Sequence, residues 1–261
     1  MNHDPFTVLV FFAAGAVISI LGTMTGLGGG FLCVPFLVIF WGRGRPEAVL
    51  TSLTMIVANS ISSSITYVRS KMVDYRVFAL LIIPAISGLF IGYYLMKNME
   101  DAVFDLLFSI LLISITAYIL FKNLKKEKDR RGKGASKKRL LPIFSIPIAI
   151  ATGTASSAFG IGGGALLMPL QVGLMRMNVK KAIATSMFLL AFMSTFRVFV
   201  ISKGAFDPFM ALPLAAGAVL GAQGGAFVVK RVKGRYLLYI ISVFLFFIAI
   251  YLMAGALPEL F

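Results

Sequence analysis

The chain has 261 residues, 59% of them hydrophobic and only 13% charged, with a mean hydropathy of +0.94. A soluble domain carries about 25% charged residues; this chain lacks the polar side chains to cover a water-facing surface and reads as an integral membrane protein. A single cysteine, Cys33, and a single histidine, His3, exclude an intrachain disulfide and a His/Cys metal cluster, while the net charge of +15 needs a physical explanation.

In chain order, the first five residues lack a basic n-region. The apolar segment after them is too long for a typical signal-peptide core, so it is expected to stay in the membrane. No charge occurs over residues 5–42, a run of 38 residues, where one span needs only ~20. Gly26-Leu27-Gly28-Gly29-Gly30 divides that run into helical pieces at 6–24 and 31–41. Further spans are expected at 48–68, 77–96 and 102–121. A polar linker of 122–141 follows, carrying ten Lys/Arg. A second uncharged run over 140–175 is again broken by glycines, at 160–164, and the last spans are expected at 182–201, 208–229 and 236–253.

The halves repeat each other. Residues 26–35 match 160–169 at an offset of 134, from glycine cluster to Pro35 and Pro169. Ala48 to Ser52 match Ala182 to Ser186 at the same offset, and Pro84, Gly88 and Gly92 match Pro213, Gly217 and Gly221 at an offset of 129. The expected organisation is a first repeat at 1–121, a basic linker at 122–141 and a second repeat at 142–261.

Basic residues set the orientation. With the linker cytoplasmic and each glycine-broken run counted as two limbs, twenty Lys/Arg fall inside and four outside, with Arg197 left within a span. This gives five limbs per half and both termini outside. An odd number of limbs inverts the second half relative to the first, a design that recurs in secondary transporters. The fold class expected is therefore an all-α integral membrane protein of two inverted-topology repeats, each of about five hydrophobic helical segments and each opened by a glycine-broken helical hairpin. The net charge becomes a topology signal and a contact with anionic lipid headgroups, with no nucleic acid required.

Each glycine segment precedes a short apolar helix and so can present a helix N-terminus. The first amides there have no intrahelical partner, the aligned dipoles favour an anion, and absent side chains let it approach the backbone. Gly28, Gly29, Gly30, Gly162, Gly163 and Gly164 are the candidate amide donors. Glycine clusters also serve close helix packing, so that alternative stays open. Thr51, Ser52, Asn59, Thr185 and Ser186 are candidate side-chain ligands, against the alternative of hydroxyls bonded to their own backbone. Arg197 either neutralises an anionic substrate or snorkels toward the outer interface. Gln223 and the Pro84/Gly88/Gly92 ridge read as packing features. Immersed carboxylates are scarce, Asp105 being the nearest case, and there is no Ser/His pair, carboxylate dyad or metal set. An enzyme is not expected, nor is a cofactor or a resident metal.

A Gly-x-Gly-Gly-Gly segment leading to an apolar stretch and Pro, present at 26–35 and again at 160–169 and each followed by Ala-x-x-Thr-Ser, resembles the sulfite exporter TauE/SafE family. The resemblance covers nearly the whole chain. It implies a permease of a prokaryotic cytoplasmic membrane that moves small sulfur-containing anions such as sulfite, sulfoacetate or other organosulfonates. The second copy has Ala165 where the first has Phe31, which makes the two halves of a site unequal. Transport by alternating access is the expected mechanism; an anion channel, or a scaffold acting through the basic linker, is the alternative. The expected partners are the small anion and the lipid bilayer, with homo-oligomers left open.

Overall fold

The computed structural model describes residues 5–128, 145–173, 175, 177–201, 207–231, 246 and 250. The basic linker beyond residue 128 and nearly all of the span expected at 236–253 lie outside the described residues. Every regular element among those described is a helix. In order these are α1 (Pro5–Thr25), α2 (Gly30–Pro35) running on into a π-helical turn (Phe36–Phe40), α3 (Arg45–Arg69), α4 (Tyr75–Lys97) and α5 (Asp101–Lys128), followed by α6 (Ser145–Phe159), α7 (Gly164–Gly173), α8 (Val179–Phe196) with a π-helical turn (Arg197–Ile201), and α9 (Pro208–Arg231). Five of them, α1, α3, α4, α8 with its π turn, and α9, are long and apolar enough to cross a membrane. The helix α5 continues past the expected end of its span, into the first part of the basic segment.

Polar residues start the long helices where the apolar pattern begins. Asp74 caps α4 by accepting the amides of Arg76 and Val77, Asn178 caps α8 through Lys180, and Asp207 caps α9 through Phe209. Pro46 sits in the first turn of α3, where its missing N–H costs nothing.

The chain divides into two compact units, residues 1–98 with 141–232, and residues 99–140 with 233–261. The larger unit draws on both sequence halves. Within it α3 and α8 are the most enclosed long helices, while α1 and α4 turn more of their surface outward. That outward surface is apolar: Phe6 and Ile83 are each more than 70% exposed, which suits lipid and not water.

Packing in the larger unit exchanges partners between the halves. Helix α1 lies along α9, and α6 lies along α4, both pairs parallel. Lipid tails are as apolar as the side chains, so such contacts rest on close van der Waals fit, and small residues let backbones approach. A β-carbon on Gly88 or Gly92 would run into the carbonyl of Ile150 or Thr154. One on Gly221 or Gly225 would meet the carbonyl of Ala16 or Ile20. Ile150 and Thr154 are the repeat mates of Ala16 and Ile20, so Gly88 takes the place of Gly221, and Gly92 that of Gly225. Ser19 and Gly153, another pair of repeat mates, face the carbonyls of Ala218 and Ala85 and give the same register. The packing thus relates α4 to α9 at an offset of 133, one helical turn from the offset of 129 that the Pro/Gly spacing suggests. Glycines recur at every fourth position along α9, at 217, 221 and 225, so a one-turn slip keeps the pattern.

Gln223 is a packing residue. Its amide nitrogen donates to Ser62, and its amide oxygen accepts from Thr66 at 2.8 Å, tying α9 to α3.

Candidate functional site

The two glycine loops are built alike. Gly26, Gly28 and Gly29 have φ of 73°, 85° and 86°, and their repeat mates Gly160, Gly162 and Gly163 have 65°, 74° and 74°. Left-handed backbone at three positions out of four is accessible to glycine at little cost, which explains these residues at that spacing. In both loops the third of these glycines opens the next helix by accepting two amides with its carbonyl: Leu32 and Cys33 on Gly29, Leu166 and Leu167 on Gly163.

The loops meet tip to tip. A β-carbon on Gly30 would collide with the carbonyl of Gly160 and lie 2.9 Å from Ile161 Cα. One on Gly164 would collide with the carbonyl of Gly26 and lie 2.8 Å from Leu27 Cα. The antiparallel helices α3 and α8 flank this junction. The backbone of Val49 touches Gly160, and that of Ile183, its repeat mate, touches Gly26. Ile56 and Leu190, repeat mates as well, each lie against both Gly28 and Gly162 and seal the junction between them. The six candidate glycines therefore gather at one buried junction, with the start of α2 packed against Gly160 and the start of α7 against Gly26.

The polar candidates divide. Asn59 is fully buried and clamps the first loop: its Nδ2 donates to Gly28 O at 2.9 Å, and its Oδ1 accepts from Thr23 Oγ1 at 2.6 Å. Ser52 ties α3 to the second loop by donating to Gly160 O at 2.8 Å. Ser186, its repeat mate on α8, is buried and its hydroxyl has no partner. Thr185 is committed elsewhere, accepting the backbone amide of Asp74 at 3.0 Å at the start of α4. Thr51 is buried on α3.

Arg197 does not snorkel: it is 1% exposed. It opens the π-helical turn at the end of α8, a distortion frequent at functional sites. Its Nε donates to Ser157 Oγ on α6, its guanidinium lies 4.7 Å from the centre of the Tyr93 ring, and Nη2 reaches Met96 Sδ at 4.0 Å. The cation is thus held against aromatic and sulfur groups of α4, where the ring quadrupole favours it, and it touches α6 just before the second glycine loop begins.

Two groups escaped the sequence reading. Ser156 is fully buried on α6 with an unpartnered hydroxyl, and Gln171 on α7 is fully buried with neither amide atom partnered. Serine in an apolar helix and glutamine in a short one give no sequence signal of lacking a partner. Only the tertiary surroundings reveal it. Cys33 is buried in α2, as expected of a small core residue. Among the described residues there is no cluster of three metal-ligating side chains.

A family model described as sulfite exporter TauE/SafE matches residues 11–252. Among curated proteins, the chain is 29% identical to the probable membrane transporter protein YunE of Bacillus subtilis, over 93% of this chain and 95% of that one. It is 33% identical to a probable membrane transporter protein of Methanocaldococcus jannaschii, over 66% of this chain and 64% of the relative. A probable membrane transporter protein of Haemophilus influenzae is 26% identical over 88% of this chain and 87% of its own. No solved structure matches.

Proposed function

The chain belongs to the sulfite exporter TauE/SafE family of membrane transporters, and from that premise we propose that it carries small sulfur-containing oxyanions, such as sulfite, sulfoacetate or other organosulfonates, across a prokaryotic cytoplasmic membrane by alternating access. The observation that carries this reading is the meeting of two glycine loops at one buried point, each at the start of a short apolar helix. First-turn amides without intrahelical partners and two aligned dipoles suit a small anion there. The buried Arg197, whose α6 contact Ser157 adjoins the loop-lining Ser156, adds a positive charge where an anion would enter low-dielectric surroundings.

In this reading the repeats are inverted, the basic linker is cytoplasmic and both termini are outside. The exchanged parallel pairs α1/α9 and α4/α6, and the antiparallel α3/α8 pair, support the inversion, because helices with corresponding places in the two repeats then run in opposite senses; the sidedness rests on the basic residues. Ile56 and Leu190 seal both loops, which favours a carrier in a closed state over a continuous pore. The hairpins α1–α2 and α6–α7 would rock against the α3/α8 pair.

The test is uptake of labelled sulfite and of sulfoacetate into proteoliposomes, with and without an imposed pH gradient. Saturable uptake that is lost in Gly163→Val, with the variant still inserted and monodisperse, is the expected result. Non-saturating flux far above carrier turnover would replace the carrier with a channel, and no flux of either anion from folded protein would remove the substrate assignment.

A further inference from the structure

The two glycine loops share a backbone but not their surroundings, and the difference singles out one side chain. Gly29 and Gly163 are repeat mates. A β-carbon on Gly29 would meet Ile18 Cγ2 and Ile18 O, both at 3.1 Å, and Met55 Cε at 3.4 Å. A β-carbon on Gly163 would meet Thr152 Cγ2 at 3.0 Å, Ser156 Cβ at 3.1 Å and Met193 Cε at 3.3 Å. Thr152 stands where the first repeat has Ile18, and Ser156 where it has Gly22. Gly22 lets the first loop collapse onto α1: a β-carbon there would lie 2.6 Å from Gly29 Cα and 2.7 Å from Gly28 C, and Leu27 and Gly28 both donate to Gly22 O. In the second repeat a serine hydroxymethyl occupies that position, between α6 and the loop.

The Ser156 hydroxyl has no hydrogen-bond partner and no exposure. Ser64 and Ser186 share that lack of a partner, but of the three it is Ser156 that lies against Gly163 at the start of α7. Ser60, Ser63, Ser109 and Ser194, all buried, donate to the carbonyl one turn earlier. Ser156 does without that bond, although a buried hydroxyl left unmet is costly. It does so beside the start of α7, a ten-residue helix whose first amides lack intrahelical partners. The neighbouring Ser157 holds the Arg197 guanidinium. An unmet donor at a helix N-terminus, with a cation bound to the next residue of the same helix, calls for an acceptor with several oxygens and negative charge.

We infer that the anion is held asymmetrically, at the second glycine loop, with Ser156 Oγ as its side-chain donor beside the first-turn amides of α7. The first loop, closed by Gly22 and clamped by Asn59, serves as the rigid partner. This rests on the proposed oxyanion transport and narrows it to an anion with at least two free oxygens, as in sulfite or a sulfonate group: one for the amides and one for the hydroxyl.

The experiment is sulfite and sulfoacetate binding to the purified full chain, by titration calorimetry and by anion-induced thermal shift, for the native protein, Ser156→Ala and Ser60→Ala. Ser156→Ala is expected to weaken anion binding about tenfold or more, while its melting point without anion equals or exceeds the native value, because a costly unmet hydroxyl has gone. A structural hydroxyl would lower that melting point instead. Ser60→Ala should bind as the native chain does. Native-like binding by Ser156→Ala, or a melting point lowered without anion, overturns the inference and leaves the transport reading intact. No binding of either anion by the folded native chain overturns the transport reading, and the inference with it.

Discussion

Replacing Gly30 with alanine tests the tip-to-tip junction directly. Its φ is not in the left-handed region, so alanine is conformationally acceptable there, and the whole effect must come from space. The added methyl would collide with the carbonyl of Gly160 and lie 2.6 Å from Ile56 Cδ1 and 2.9 Å from Ile161 Cα. The Ile56 methyl can swing aside, but the two backbone groups can yield only if one hairpin tip moves away from the other. Overpacking usually costs about 1–3 kcal/mol, and rigid neighbours put this case near the top of that range. That corresponds to a fall in melting temperature of roughly 6–12 °C for a chain of this size. Gly42→Ala is the matched control. Gly42 has φ of 61° but nothing within 4 Å of its β position, so it isolates left-handed strain, worth about 1–2 kcal/mol. The assay is fluorescence-detected size exclusion across a temperature series, with anion uptake measured on the same preparations. Gly30→Ala should be clearly the less stable of the two and inactive, with Gly42→Ala active. If both variants melt together and both transport, the loops do not touch as described and the reasoning fails.

Three further outcomes are expected. Asn59→Leu removes the amide that donates to Gly28 O and accepts from Thr23, and should cost about 1–3 kcal/mol; a thermal melt matching the native one would show that the first loop needs no clamp. Arg197→Lys keeps the charge but loses the planar group set over Tyr93 and bonded to Ser157, and uptake should fall at least about tenfold with the fold intact. Native uptake by that variant would mean that charge alone suffices. Cys33, the chain's single cysteine, is buried in α2 and should react with N-ethylmaleimide only on a timescale of hairpin opening; immediate modification of the native protein in its membrane would contradict the packing of that hairpin.

Much of the fold is legible in the residues, for physical reasons. The membrane setting follows from composition, and the described ends of the long helices lie close to those that charge and hydropathy mark out. The glycine breaks are visible because only glycine takes repeated left-handed backbone in so short a segment. Their matching between the halves extends to the φ angles. The register of the second packing ridge is not legible from the glycines alone. Glycines spaced by four present the same face one turn along, and the carbonyl each glycine meets, Ala16 for Gly221 and Ile150 for Gly88, is a tertiary fact. The paired caps Asp74 and Asp207, which stand at the same offset as Gly88 and Gly221, hold the correct register in plain view. Among candidate site residues, Asn59 and Ser52 do lie at the glycine loops, whereas the hydroxyl of Thr185 is spent on the α3–α4 connection. A threonine and a serine side by side carry no sequence mark of which one turns toward the junction.

The deviations from symmetry are more informative than the symmetry. A repeated backbone brings two glycine loops to one point, but identical surroundings would offer an anion two equal half-sites. Here the substitutions between repeats are concerted. Where the first half has Ile18, Gly22, Asn59 and Ser63, the second has Thr152, Ser156, Met193 and Arg197. In the first half the polar group, Asn59, is used up in fastening the loop to its own helices. In the second, Met193 at that position gives no such clamp, a hydroxyl remains unmet, and the cation sits one turn further along, where α8 passes into its π turn. A loop fastened by an amide resists displacement more than one that has no such clamp. In the proposed carrier the second loop, held by fewer bonds, would be the one that yields first, and the anion would travel on that side. That assignment makes the Asn59 and Ser156 variants opposite in kind: loss of Asn59 lowers stability before it touches affinity, and loss of Ser156 lowers affinity while leaving stability intact.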